Sequence, residues 1–226
     1  MIEKYFVKGL RLRWAHPGDG TPGAKDGSFI NQPPLPPQPM IYDGLDGELV
    51  NFGMPHVSVL GLTKGMSIPY DWLSYTIGHT CRTPLTSDVL TGYMSGCPIV
   101  TWTDRGVRYV GHLGTEDSQP VLNTAVRKTF SDNMPRDVQG FNPFGAWDNS
   151  EIVPMVSKFK KGAGIKIVAL VTATGKFYSL LMFQFGNALA IKEWCVGGAK
   201  LVPPLGWMAM RKWLTPDAPI IGGSRG

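Results

Sequence analysis

A chain of 226 residues with 43% hydrophobic and 17% charged residues is long and apolar enough for one folded domain, which excludes wholesale disorder. Its formal charge of +5 comes from 22 scattered basic residues, densest at Lys158, Lys160 and Lys161; with no nucleic-acid motif beside them, an acidic protein is the better-suited partner. No apolar run is long enough to span a bilayer and no apolar N-terminal segment precedes a small-residue cleavage site, so a soluble protein without a Sec-type signal is expected.

Glycine (28) and proline (19) make up about a fifth of the chain, and runs of good helix formers are scarce, which favours strands and turns. Lys4 to Trp14 alternates apolar and basic residues after Val7 and predicts a strand with one wet face. From about residue 16 to 40 a Pro/Gly-rich arm follows, carrying Gln32-Pro33-Pro34-Leu35-Pro36-Pro37-Gln38-Pro39. It suits a stiff extended segment packed across the surface, or a polyproline ligand for an SH3-like domain. Val57 to Leu62 predicts a buried strand, Asp71 to His79 a short helix or irregular segment, and Ser87 to Met94 leads into Cys97.

The clearest hairpin runs from Ile99 to Thr103, through a turn at Asp104-Arg105-Gly106, and back from Val107 to Leu113. Apolar residues at 121, 122, 125, 126 and 130 predict an amphipathic helix, with Ser118 as N-cap and Pro120 in its first turn. Ser131 to Asn149 reads as a long, partly apolar loop. Ile152–Ser157, Ile165–Thr172, Lys176–Phe185 and Ala188–Cys195 read as four strands, the middle pair joined by Ala173-Thr174-Gly175. Trp207 to Trp213 predicts a terminal helix, and residues 222–226 a frayed tail. The expected architecture is a single α+β domain over residues 1–226, a mixed β-sandwich or central mixed sheet with few flanking helices.

The three cysteines, Cys81, Cys97 and Cys195, stand 16 and 98 residues apart, matching neither a zinc ligand set nor a disulfide framework. No metal and no cofactor is expected. Cys195 lies in an apolar strand and reads as core. Cys81, with Arg82 beside it and His79 two residues before, competes with Cys97 as a reactive thiol. Gly96 removes a side chain just before Cys97 and allows a tight turn with close approach of a substrate amide. Pro98 biases Cys97 toward extended backbone and has no N–H, so a local oxyanion hole must draw on the amides of Cys97, Gly96 or Ser95.

Hairpin parity selects a base. If Asp104-Arg105 is the two-residue turn, paired residues sum to 209 and Cys97 lies across from His112; if Arg105-Gly106 is the turn, the sum is 211 and the two are diagonal neighbours. Either register puts both side chains on one face, whereas a three-residue loop without a bulge would put them on opposite faces.

Met94-Ser95-Gly96-Cys97, with Thr91 six residues before the cysteine and His112 fifteen after it, resembles the Cys-His glutamine deamidases. That group includes the catalytic domains of the cytotoxic necrotizing factors, the Burkholderia lethal factor and the chemoreceptor deamidase of bacterial chemotaxis. The toxins carry Leu-Ser-Gly-Cys ending in the nucleophile, so Met94 is a departure, though one that conserves volume. The similarity spans about 22 of 226 residues.

What the resemblance implies is a mixed β-sandwich with a cleft at one sheet end, a Cys97 nucleophile, a His112 base and Thr91 orienting that base through its hydroxyl or its backbone carbonyl. Asp88, Asp104, Glu116 and Asp117 are alternative orienters. The implied reaction converts a glutamine of a host or cellular protein, such as a GTPase or translation factor, to glutamate. The chain would then be a bacterial toxin or effector, cytoplasmic or carried into a host cell by a dedicated secretion system. A transglutaminase or cysteine protease shares the thioester half of the chemistry, and a non-enzymatic binding module built on the Pro-rich arm and the aromatic residues 141–147 is the third reading.

Overall fold

The computed structural model of the chain describes residues 2–14, 29–31, 40–45, 64–116, 118–133, 135–157, 164–185 and 192–214. Among the described residues fourteen strands form two sheets: an eight-stranded one in the order β4-β3-β1-β13-β12-β11-β7-β5 and a six-stranded one in the order β14-β10-β8-β9-β6-β2. In the first, β1 is Leu10–Trp14, β3 Met40–Leu45, β4 Ser67–Ile68, β5 Asp71–Trp72, β7 Val89–Gly92, β11 Gly164–Val171, β12 Phe177–Phe185 and β13 Lys192–Val202. In the second, β2 is Phe29–Asn31, β6 Thr80–Pro84, β8 Ile99–Asp104, β9 Val107–Leu113, β10 Arg136–Phe141 and β14 Leu205–Gly206. Both sheets are mixed: β5 runs parallel to β7 and β2 parallel to β6, and the other pairs are antiparallel. Three α-helices accompany them, α1 at Pro120–Asp132, α2 at Asn149–Val156 and α3 at Trp207–Leu214. This is the α+β class with few helices that the composition predicts.

The larger sheet curls back on itself. Its two edge strands, β4 and β5, are separated in sequence only by Pro69 and Tyr70, whereas in a flat sheet eight strands wide they would lie roughly 34 Å apart. One face of all eight strands contributes to a single cluster, including Trp14, Met40, Ile68, Trp72, Leu90, Leu170, Leu180 and Trp194. Trp14 on β1 meets Trp194 on the neighbouring strand β13 at 5.5 Å between ring centroids, and Trp72 on β5 at 5.7 Å, the second a contact between strands at opposite ends of the order that only a rolled sheet permits.

Side chains of the opposite parity, Val89, Ala169, Val171, Phe177, Leu181, Phe183 and Cys195, face outward onto Cys81, Ile99, Val110 and Phe141 of the smaller sheet. The smaller sheet in turn covers its far face with α1 and α3, burying Val100, Trp102 and Leu113 against Val126, Phe130, Met210 and Leu214. The layer between the two sheets therefore carries period-two residues from β7 and from β9, the strands holding Thr91 and His112.

Several local expectations change. Only Leu10–Trp14 of the N-terminal run is strand, Ile2–Tyr5 forming a 3-10 turn whose Ile2 joins Phe6 in closing the rolled sheet's core. Asp71–Trp72 is a short strand followed by irregular backbone, with no helix. The helix α1 begins after Gln119, which makes no side-chain capping bond, so Ser118 is not its N-cap. Within the expected loop 131–149 lie β10 and a 3-10 turn at Phe144–Ala146. The segment expected as strand at 152–157 belongs to α2, whose start is set by a reciprocal capping box between Asp148 and Glu151. The strands at β11 and β12, the turn between them and the helix α3 match expectation, and β13 runs on to Val202. Of the Pro/Gly-rich arm only Phe29–Asn31 and Met40 are described; Val57–Leu62 and residues 222–226 lie outside the described residues. Among the described residues, no helix is long and apolar enough to cross a membrane.

Candidate functional site

The β8–β9 hairpin pairs Asp104 with Val107 and Ile99 with His112, a register summing to 211, so the turn is Arg105-Gly106. Both turn residues have positive φ, 49° and 80°, as a two-residue hairpin turn of right-handed strands requires. The amide of Leu113 extends the ladder by donating to the carbonyl of Pro98 at 3.2 Å. Cys97 lies two residues before the last pair, outside the strand; the register continued by parity would make it a diagonal neighbour of His112 on the same side of the ladder.

His112 is fully buried in the layer between the sheets. Its Nδ1 lies 2.7 Å from Oγ1 of Thr91, itself fully buried on β7 of the facing sheet. The two sheets are thereby tied by one polar contact inside an apolar layer. Burial drops the imidazole's pKa from 6.5 to about 3, so the ring is neutral at physiological pH. Nε2 is buried and has no hydrogen-bond partner among the described residues. The Tyr75 ring packs over the imidazole at 4.9 Å between centroids, inclined by 42°.

The Cys97 thiol, 3% exposed, does not bond to His112 Nε2 in this arrangement. It donates to the carbonyl oxygen of Thr115 at 3.2 Å, and the Thr115 hydroxyl donates back to Sγ at 3.6 Å. Tyr75 Oη donates to the same carbonyl at 3.1 Å. Gly96 adopts φ 142°, a conformation open to glycine and costly for other residues, and this turns the chain from exposed Ser95 into the buried thiol. Gly114 is required for a different reason: a Cβ there would stand 2.0 Å from the carbonyl oxygen of Thr76, so only glycine lets the 76–79 segment close over the site.

Cys81 pairs directly with His112 across β6 and β9, which parity within the β8–β9 hairpin alone does not reveal. Desolvation raises its thiol pKa and it is fully buried, the condition of an inert core cysteine. Cys195 is likewise buried in the inter-sheet core, as expected. Of the alternative orienters, Asp88 accepts from the amides of Ile2 and Ala173, Asp104 pairs with Arg82 at 3.0 Å, and Glu116 accepts from Gln119; Asp117 is outside the described residues.

Three neighbours of the site are absent from the sequence reading: Tyr75, Thr115 and Arg127. Arg127 lies on α1 at 3% exposure; burial lowers the pKa of its guanidinium from the ordinary value, and a thiolate at Cys97 would oppose that shift. Its signal was available: the buried arc of α1 is Leu122, Asn123, Val126, Arg127 and Phe130, so an arginine occupies the apolar stripe of an amphipathic helix. Beside the turn 94–96, a cleft of about 640 Å³ is lined by Tyr93, Met94, Ser95, Phe144, Trp147, Ile152, Val153 and Ile165, with Lys166 as the one charged side chain among the described residues that line it. Among the described residues no group of three or more His, Cys, Asp or Glu side chains is placed to hold a metal ion. No family model matches the chain, and no curated protein or solved structure matches it either.

Proposed function

We propose that the chain is a cysteine-dependent amidohydrolase that converts a glutamine side chain of a partner protein to glutamate. The observation that carries this reading is the buried Thr91–His112 contact, which leaves Nε2 without a partner among the described residues; continued parity of the hairpin supports Cys97 on that same face. In the tautomer that serves the reaction, Nδ1–H donates to the Thr91 hydroxyl oxygen and the lone pair sits on Nε2.

Rotation about the Cα–Cβ bond of Cys97 releases the thiol from Thr115 toward Nε2. His112 takes the thiol proton, and sulfur attacks the amide carbon while the amide nitrogen leaves as ammonia carrying that proton. A thioester remains on Cys97. Water, deprotonated by His112, then adds to the thioester carbon; the carboxylate departs and sulfur recovers its proton. The amides of Ser95, Gly96 and Cys97 are the local donors for the oxyanion formed at each addition. The cleft beginning at Ser95 gives the chain flanking the glutamine an apolar seat. The resemblance extends the substrate class to a GTPase or translation factor of a host cell.

The thiol's bond to Thr115 favours a second reading, in which Cys97 is a buried structural residue and the cleft alone binds a partner. One experiment separates the two. Lysate proteins incubated with the wild-type chain should release ammonia and gain about one dalton at specific glutamines, and Cys97→Ser should abolish both. Wild-type and Cys97→Ser lysates with identical peptide masses would refute the deamidase. Amine incorporation or backbone cleavage would indicate the transglutaminase or protease instead.

A further inference from the structure

A thiol that reacts at neutral pH needs its anion stabilised, usually by an adjacent imidazolium. His112 is a poor source of that charge, because its burial keeps the ring neutral far below neutral pH. The groups that meet Cys97 come from another direction. Asn123 on α1 accepts from the amide of Glu116 at 2.7 Å and donates to the Glu116 carbonyl at 2.7 Å, which fixes the helix against the loop after β9. The residue before Glu116 is Thr115, bonded to the Cys97 thiol in both directions. Arg127 is one helical turn on from Asn123, on the same buried arc of the helix, and a charge at Cys97 bears on its guanidinium.

We propose that Arg127 is the positioning cation for the Cys97 thiolate, aided by the Thr115 hydroxyl, and that His112 acts as a proton carrier without holding the thiolate's charge. This rests on the reading of Cys97 as a nucleophile. When the resting thiol ionises, its proton passes to solvent, the bond to the Thr115 carbonyl is lost, and the Thr115 hydroxyl becomes a charge-assisted donor to sulfur. Burial lowers the pKa of the Arg127 guanidinium, but from an ordinary value so far above neutrality that the group still carries its charge at pH 7. The other titratable groups on the elements packed about this corner are His79 and Tyr75 before β6, Cys81 on β6 and Glu116 after β9. Of these, Glu116 is an anion that opposes the thiolate and Tyr75 is committed to the Thr115 carbonyl.

The test is the pH dependence of alkylation by iodoacetamide, read at the Cys97 peptide by mass spectrometry so that Cys81 and Cys195 do not contribute. The wild-type midpoint should lie below the ~8.5 of a free thiol. Arg127→Gln should raise it by about one pH unit or more, a roughly tenfold loss of thiolate at pH 7, while Arg127→Lys retains most of the wild-type position. Thr115→Val should raise it by a smaller step, and His112→Gln should move it by less than about half a unit. An unchanged midpoint in Arg127→Gln overturns the proposal. So does a rise in His112→Gln as large as that in Arg127→Gln, and the His112 arm decides the matter even where Arg127→Gln fails to fold. Because the assay needs no protein substrate, failure of the deamidase reading and failure of this one give different results.

Discussion

Replacing His112 by glutamine should remove the loss of stability between pH 7 and pH 5 that protonation of this imidazole in the unfolded chain causes. The imidazole has a pKa near 6.5 in the unfolded chain and about 3 in the fold, lowered by burial between the sheets. A folded value below the unfolded one means that, between those two pH values, the unfolded chain binds the extra proton. Stability contributed by keeping this ring neutral is therefore fully present above pH 6.5 and falls as pH drops toward 3. At pH 5 the unfolded site is almost fully protonated and the folded site is not, which costs about 2 kcal/mol relative to pH 7; at pH 3 the loss reaches about 4 kcal/mol. Urea unfolding followed by tryptophan fluorescence, at pH 7 and pH 5, measures it. Carboxylates and the other histidines titrate alike in both proteins, so the wild type should lose about 2 kcal/mol more than His112→Gln over that interval. Equal losses in the two proteins would refute the claim that His112 is buried and neutral.

Thr91→Val removes the oxygen that faces Nδ1 while nearly preserving volume; stability should fall by about 1–3 kcal/mol, and kcat/KM for deamidation should fall at least tenfold, with the acid limb of the profile altered if Thr91 sets the ring's tautomer. Gly96→Ala forces a side chain onto φ 142°, and thermal unfolding should show a loss of about 1–2 kcal/mol together with slower Cys97 alkylation. Gly114→Ala places a methyl against the Thr76 carbonyl at 2.0 Å, which the backbone of two segments must yield to; a loss of about 3 kcal/mol or more is expected in urea unfolding.

How much of the fold is legible in the sequence depends on where each residue's partners lie. The strands β8, β9, β11 and β12 are antiparallel neighbours joined by two short turns, and their period-two burial is written locally in Ile99 to Leu113 and Gly164 to Phe185. The rolling of the larger sheet is not local at all. It brings Trp14 of β1 against Trp72 of the edge strand β5, and no window of sequence contains that contact. β10 was hidden for a related reason: it has only six residues, a register break between Arg136 and Gln139, and Asp137 at φ 52°, so its apolar residues never alternate cleanly. The helix α2 was hidden by Pro154, which discourages a helical reading, although Asp148 and Glu151 already spelled out the capping box.

The site divides along the same line. The relation of Cys97 to His112 follows from parity within one hairpin, and the observed register is one of the two that parity allows. Thr91 reaches His112 by a different route, across the layer between two sheets, and only the motif spacing pointed to it; its side-chain hydroxyl makes the contact. Tyr75, Thr115 and Arg127 arrive from a loop, a strand end and a helix, and Gly114 lets the first two elements close together. Burying an imidazole deeply enough to hold it neutral also removes it as a counter-ion for the thiolate. A Cys-His pair set in such a layer consequently needs a cation from outside the pair, and on this chain the helix packed over the hairpin's open end carries Arg127 within its buried arc.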